Sequence, residues 1–252
     1  MSTAAPGRDG RFLPAAYWEP LWAGGRRYRQ VCTAEKQLMA EHLAPGKGRL
    51  ALDIGTGRPA EPIEVAALAL RPVGDRLVEV GRFEDLMRPP ADVPVTARDV
   101  QLKGITQQMI STARPAAEVL ARLDARLTAP PYRLVAHHAS TEAGIIGRQA
   151  EHCPVLAGTP LLDTLRLAKA VVPGLGSYGL DGLLGYYGIP KPAGRHRAMP
   201  DVEVTTQVLA RLLDDGCADG RWSTLLELDA VAGLQPNRRP HAAPEAEQRA
   251  LF

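Results

Sequence analysis

Three short stretches of this chain gather residue types that can do chemistry. In "RLALDIGTGR" an apolar run enters Asp53, Gly55 and Gly57, the pattern of a strand leading into a glycine-rich turn where backbone can approach a cofactor closely. A second apolar run, in "LVAHHASTE", ends in His137 and His138, with Glu142 just beyond. A third stretch, "IPKPAGRHR" continuing into "HRAMPD", surrounds His196 with Arg195 and Arg197 and closes on Asp201. Each has a plain structural reading: Asp53 as a turn or cap residue, His137 as a strand-end histidine, Arg195 and Arg197 as a solvated loop with phosphate contact as its secondary reading. Zinc is not indicated. Cys32, Cys153 and Cys217 are odd in number, widely spaced and without a CxxC, and the two histidines have no further Cys or His at ligand spacing.

The elements that must position these residues follow from periodicity. "AEKQLMAEHL" puts Leu38, Met39, His42 and Leu43 on one helical stripe, and "APGKG" stops it. After the strand "RLALDI", the segments "PIEVAALAL" and "RLVEVGRFEDLM" alternate around the break "RPVGD", which predicts an antiparallel hairpin. "PAAEVLARLDARLTA" reads as a helix through Val119, Leu120, Leu123 and Leu127, "YRLVAHH" as a strand, and "TEAGIIGRQAEHC" as another helix with Glu142 in its first turn. A helix "LDGLLGYYG" and one from about Pro200 to Asp214 complete the pattern, and strands followed by alternating helices and strands imply a mixed sheet flanked by helices.

The 252 residues, 45% of them hydrophobic, suffice for one substantial core. A net charge of +2 from 30 basic and 28 acidic side chains leaves any nucleic-acid grip to local patches. Unpaired cysteines fit a reducing cytoplasm, and no apolar run approaches the roughly 18 residues of a membrane span.

From residue 59 to residue 214 the order of pieces resembles the DEDDh 3′→5′ exonucleases, the family of the proofreading epsilon subunit of bacterial replicative polymerase. The matching pieces are "EPIEVAALAL", the GIT turn in "KGITQQMI", "LVAHHASTEAGII", the segment "LLDTLRLAKAVVPGLGSYGLDGLLGYYGI", and "HRAMPD" with the H-x-A-x-x-D spacing. The resemblance implies phosphodiester hydrolysis at single-stranded DNA or RNA ends with two Mg²⁺ or Mn²⁺ ions held by converging carboxylates. It implies Asp53, Glu142 and Asp201 as metal ligands, His196 as general base, and Thr56, His138, Lys103 and Arg197 on the substrate side. It also raises association with a polymerase. This chain departs from the pattern at two acids: the first motif, D-x-E-T, keeps Asp53 and Thr56 but has Gly55 for its Glu, and Glu142 stands where an Asp is usual. Glu64 matches an acid common in the family's second strand.

The first 58 residues resemble something else. "AAYWEPLWAGGRRYRQVCTAEKQLMAEHLAPGKGRLALDIGTGR" is similar to the start of class I S-adenosylmethionine-dependent methyltransferases, in which a helix follows the glycine turn. Here "PAEPIEV" stands in that place. The expectation is therefore an α/β, RNase H-like mixed sheet flanked by helices over 49–214, a helical N-terminal extension over 1–48 and a flexible tail over 215–252. The expected function is a DEDDh-type exonuclease weakened at Gly55, with a catalytically impaired nucleic-acid-binding module or a methyltransferase as the alternatives.

Overall fold

The computed structural model describes residues 49–56, 62–73, 76–91, 93, 95–128 and 131–235, with 49–56, 72, 73, 76 and 98 described by backbone course only. The helix expected over 34–43, the methyltransferase-like leader and the glycine turn at Gly57 lie outside the described residues. Among those described, seven strands form one sheet in the order β4-β3-β2-β1-β5-β6-β7. They are β1 (Arg49–Thr56), β2 (Pro62–Val73), β3 (Arg76–Arg88), β4 (Arg114–Pro115), β5 (Arg133–Ala136), β6 (Leu161–Asp163) and β7 (Gly233–Leu234). β2 runs antiparallel to both of its neighbours, β1 and β3, whereas β1, β5 and β6 are parallel neighbours. This is the mixed, RNase H-like sheet expected, and the hairpin read from "RPVGD" is β2–β3.

β2 is apolar on both faces because both are covered. Ala66, Leu68 and Leu70 pack against Ala198, Met199 and Val202 of helix α8 (Ala198–Ala218), while Val65 and Ala67 join Phe83 and Met87 and helix α3 (Ala116–Asp124) through Val119, Leu120 and Leu123. The GIT turn has a conformational explanation. Helix α1 (Ala97–Lys103) ends on Gly104 at φ 66°, Ile105 is buried with Ile63 and Ile110, and the Thr106 hydroxyl caps helix α2 (Gln107–Ser111). Helices α4 (Ser140–Arg148), α5 (Pro154–Gly158), α6 (Thr164–Val171) and α7 (Leu180–Tyr187) complete the layers. Cys153 and Cys217 are buried and form no disulfide with each other, and Cys32 lies outside the described residues.

The ordered fold extends beyond residue 214, where a loose tail was expected. α8 continues to Ala218, helix α9 (Leu225–Ala232) follows with a Thr224–Glu227 capping box, and β7 pairs with β6. Trp222, Leu228 and Ala232 are buried in the core shared by α6, α7 and α8. The polar appearance of the segment hid this, because only a few of its residues face inward. Residues 236–252 lie outside the described residues.

Candidate active site

The elements that carry the three sequence motifs meet at one end of the sheet. It is the end of the parallel strands β1, β5 and β6, the usual location of sites in α/β folds. β1 brings residue 53 opposite Ala66 and residue 55 opposite Glu64 in the β2 ladder, with an irregularity between Gly55 and Thr56. On its other side β1 is in parallel register with β5, Ala51 opposite Val135, so the His137–His138 turn leaves β5 beside the end of β1. The GIT turn packs Ile105 on Ile63, carrying the end of α1 and its last residue, Lys103, toward the start of β2. Glu142 is in the first turn of α4 and buried, at 3% exposure.

The last motif is held to the sheet by a buried carboxylate. Glu64 is fully buried, its Oε1 accepting from Arg197 Nε at 2.8 Å and Nη2 at 2.7 Å, and its Oε2 from the Ala198 amide at 3.0 Å. The pair fixes the first residue of α8 over the rung that Gly55 occupies on β1. Beside it, His196 adopts φ 78°, a left-handed conformation disfavoured by about 1 kcal/mol for a side-chain-bearing residue. The turn aims its amide at Asp201 Oδ1, 3.2 Å away, and leaves the imidazole exposed. Pro200 is tolerated in the first turn of α8, where amides have no helical acceptor.

Arg195 and Arg197 are not the solvated loop residues that the sequence suggested. The Arg195 side chain is only 12% exposed and bridges Asp201 Oδ2 through Nη1 and Asp181 Oδ1 through Nε, the latter at 2.7 Å. The Arg197 guanidinium, expected on the substrate side, is directed to Glu64. Burial raises the Asp201 carboxyl above the ordinary carboxylate range, although Arg195 and the His196 amide pull the other way. Arg195 also reaches electrostatically to His137. Burial lowers that imidazole below its ordinary value, Arg195 and His138 add to the lowering, and Asp163 opposes it.

Asp163 is a residue that the sequence reading passed over. It is 2% exposed, and its Oδ1 accepts from the His138 amide at 3.0 Å and the Leu165 amide at 2.9 Å, capping α6 and fixing the left-handed His138 at φ 66°. An Asp before an amphipathic helix in "LLDTLRLA" was the available signal. The His137 Nδ1 lies 2.9 Å from Thr164 Oγ1, tying the histidine turn to the same helix start. Asp181 and Glu64 were likewise legible as acids and not as partners of arginines.

The available donors are carboxylates, which suit a hard divalent cation such as Mg²⁺ or Mn²⁺. Among the described residues no group of three His, Cys, Asp or Glu side chains is close enough together to hold a metal. Asp53 is described only by its backbone position; of the other two expected ligands, Glu142 is buried in the first turn of α4 and Asp201 is engaged by Arg195 and the His196 amide.

An RNase H-like α/β domain with acids and imidazoles at its strand ends is thereby defined. The RNase_T family model, described as an exonuclease, matches residues 51–209, and the chain belongs to this exonuclease family. A DNA polymerase III subunit epsilon-like protein of Rhodobacter capsulatus is 32% identical over 154 residues, 61% of this chain and 21% of that protein. A PolC-type DNA polymerase III of Latilactobacillus sakei is 32% identical over 193 residues, 75% of this chain and 13% of that protein. The chain thus spans only a small part of the length of the curated relatives it matches. Among solved structures, the nuclease domain of 3′hExo, a DEDDh family member bound to rAMP, superposes with TM-score 0.58 at 18% identity, covering 69% of this chain and 95% of that one. Escherichia coli exonuclease I in complex with a dT13 oligonucleotide gives TM-score 0.58 at 18% identity over 69% of this chain and 42% of that one. These likenesses establish the fold. Among the described residues no helix is long and apolar enough to cross a membrane.

Proposed function

We propose that this chain is a DEDDh-type 3′→5′ exonuclease of low intrinsic activity, acting on single-stranded DNA or RNA ends. Asp53, Glu142 and Asp201 hold the divalent metal, and His196 is the general base. The observation that carries the reading is the last motif, with the exposed His196 imidazole and Asp201 anchored through Glu64 beside the strand that bears Asp53. A divalent ion supplies Lewis-acid polarisation of the phosphate and neutralises charge developing on it. His196 accepts the proton of the attacking water, its exposed ring being open to solvent and to a strand end. Thr56, His138 and Lys103 border the path of the strand, and Arg197 contributes by holding the motif.

Low activity is inferred from Gly55. The only acid opposite it on β2, Glu64, is already committed to Arg197 and Ala198, so it does not replace the missing carboxylate. A divalent metal held there would then lack one negative ligand. The same arginine pairing favours a second reading, a nucleic-acid-binding module without turnover. An assay on 3′-extended and single-stranded labelled DNA and RNA, with Mg²⁺ and with Mn²⁺, separates the two: release of mononucleotides from 3′ ends supports the nuclease, and binding without release supports the module. The names of the relatives extend the proposal to a polymerase partner, which co-purification with a replicative polymerase would test. S-adenosylmethionine chemistry is not part of the proposal, because only residues 57–61 separate β1 from the antiparallel β2 and leave no room for the helix that chemistry uses.

A further inference from the structure

Two cations and two anions form a chain across the last motif. Lys191 Nζ lies 2.7 Å from Asp181 Oδ2, Arg195 Nε lies 2.7 Å from Asp181 Oδ1, and Arg195 Nη1 binds Asp201 Oδ2. Since Asp201 Oδ1 accepts from the His196 amide, both oxygens of the last-motif acid are engaged from within the protein. The Arg195 and Asp201 side chains are 12% and 15% exposed, so water screens this pair far less than a surface bridge.

We propose that Arg195 is a built-in competitor of the metal for Asp201, and that a phosphate of a bound nucleic-acid end draws it away, making metal and nucleic acid bind cooperatively. The inference rests on the reading of Asp201 as a metal ligand. A guanidinium and a divalent cation cannot share Asp201 Oδ2 without repulsion, so one displaces the other. Departure of Arg195 leaves Asp181 still paired with Lys191, and only Asp201 is left for the incoming cation. The guanidinium fork matches the two oxygens of a phosphodiester as well as it matches carboxylates, so transfer to a phosphate exchanges one charge-assisted pair for another. The position also suits the exchange. Arg195 is bound to the last motif and its charge extends to the His137 turn, which follows β5 beside the end of β1. By linkage, whatever nucleic acid does to metal affinity, metal does to nucleic-acid affinity in equal measure.

The test is Mn²⁺ titration of the full chain, read by the electron paramagnetic resonance of free Mn²⁺, with and without a cleavage-resistant phosphorothioate oligothymidylate. The natural protein is expected to bind Mn²⁺ on the order of tenfold more tightly with the oligonucleotide present. Arg195→Gln is expected to bind it about tenfold more tightly with none present and to gain little from its addition. Arg195→Lys, which keeps the charge without the fork, should fall between them and serves if the Gln variant melts early. Unchanged affinity in both variants, or no effect of the oligonucleotide on the natural chain, overturns the inference. Asp201→Asn separates this from failure of the underlying reading: added to Arg195→Gln it should remove the gained affinity. If the gain survives, the metal does not sit on Asp201 and the ligand assignment fails. If Asp201→Asn alone abolishes Mn²⁺ binding while Arg195→Gln changes nothing, the ligand assignment stands and the competitor role falls.

Discussion

Gly55 and Glu64 face each other across the β1–β2 ladder, and the pairing determines what repairing the first motif should do. Gly55→Glu restores a carboxylate to the strand that carries Asp53, and nuclease activity should rise by orders of magnitude, more visibly with Mn²⁺, in a gel assay of 3′-end trimming. Adding His196→Ala should abolish the gain, since the base is then missing; rescue that survives would remove His196 from its assigned role. Two carboxylates directly opposite also repel, so the metal-free Gly55→Glu protein should melt slightly earlier, by about 0.2–1 kcal/mol, and recover with metal. His137 makes a separate residue-scale prediction. Its imidazole is held below the ordinary value of 6.5 in the folded protein, chiefly by burial. The unfolded chain therefore takes up the proton first as pH falls. Stability linked to this residue is complete above that ordinary value and is lost as pH drops through it toward the depressed folded value. Urea unfolding of the natural protein and His137→Gln across this range should show the natural protein losing more stability on acidification, and parallel pH profiles would sink the assignment.

The element that matters most is α8, since the last motif runs into its first turn and the helix is fastened at both ends. At its start the Arg197–Glu64 pair joins it to β2. Arg197→Ala leaves a fully buried carboxylate without its cation, a loss that typically destabilises by about 3 kcal/mol or more, measurable by chemical denaturation. Arg197→Lys should recover only part of it, because a single ammonium does not reproduce the two contacts of the fork. At the far end of the helix, Gly216 lies directly against the Trp222 indole, where any Cβ would overlap the ring. Gly216→Ala must push the tryptophan out of the core and should destabilise by about 1–3 kcal/mol, with a change in tryptophan fluorescence. A variant of natural stability with unaltered fluorescence would mean that the helix end and the ring do not pack in this way.

At the scale of the whole molecule, the domain closes only with the segment after residue 214. Trp222, Leu228 and Ala232 fill the core, β7 protects the edge of β6, and Arg133 Nη2 reaches Asp229 Oδ2 at 2.6 Å. A chain ending at residue 214 should therefore lose cooperative thermal unfolding, whereas one ending at residue 235 should keep it; equal behaviour of the two would show the last helix to be an accessory. Calorimetry with S-adenosylmethionine should register no binding, because only residues 57–61 separate β1 from its antiparallel partner β2, too few for the helix that chemistry uses. A micromolar dissociation constant would revive the leader sequence as a cofactor site.

Much of this was legible in the residues. The apolar runs of β2 and β5, the helical stripe of α3 and the spacing of "HRAMPD" each reflect local periodicity, which sequence displays directly. The acids and imidazoles could be named for the same reason, as types at the ends of such runs. Which charges meet was decided by the tertiary structure alone. Glu64 and Arg197 are 133 positions apart and touch because the hairpin and α8 pack across one face; Asp201 and Arg195 are near in sequence but pair only because a left-handed turn at His196 folds one back on the other. The same holds for residues 216–234, whose few inward-facing side chains acquire meaning only against the core they complete. Local pattern follows from neighbours along the chain, while the pairing of charges depends on which surfaces the burial of apolar area brings into contact, and that is a property of the assembled fold.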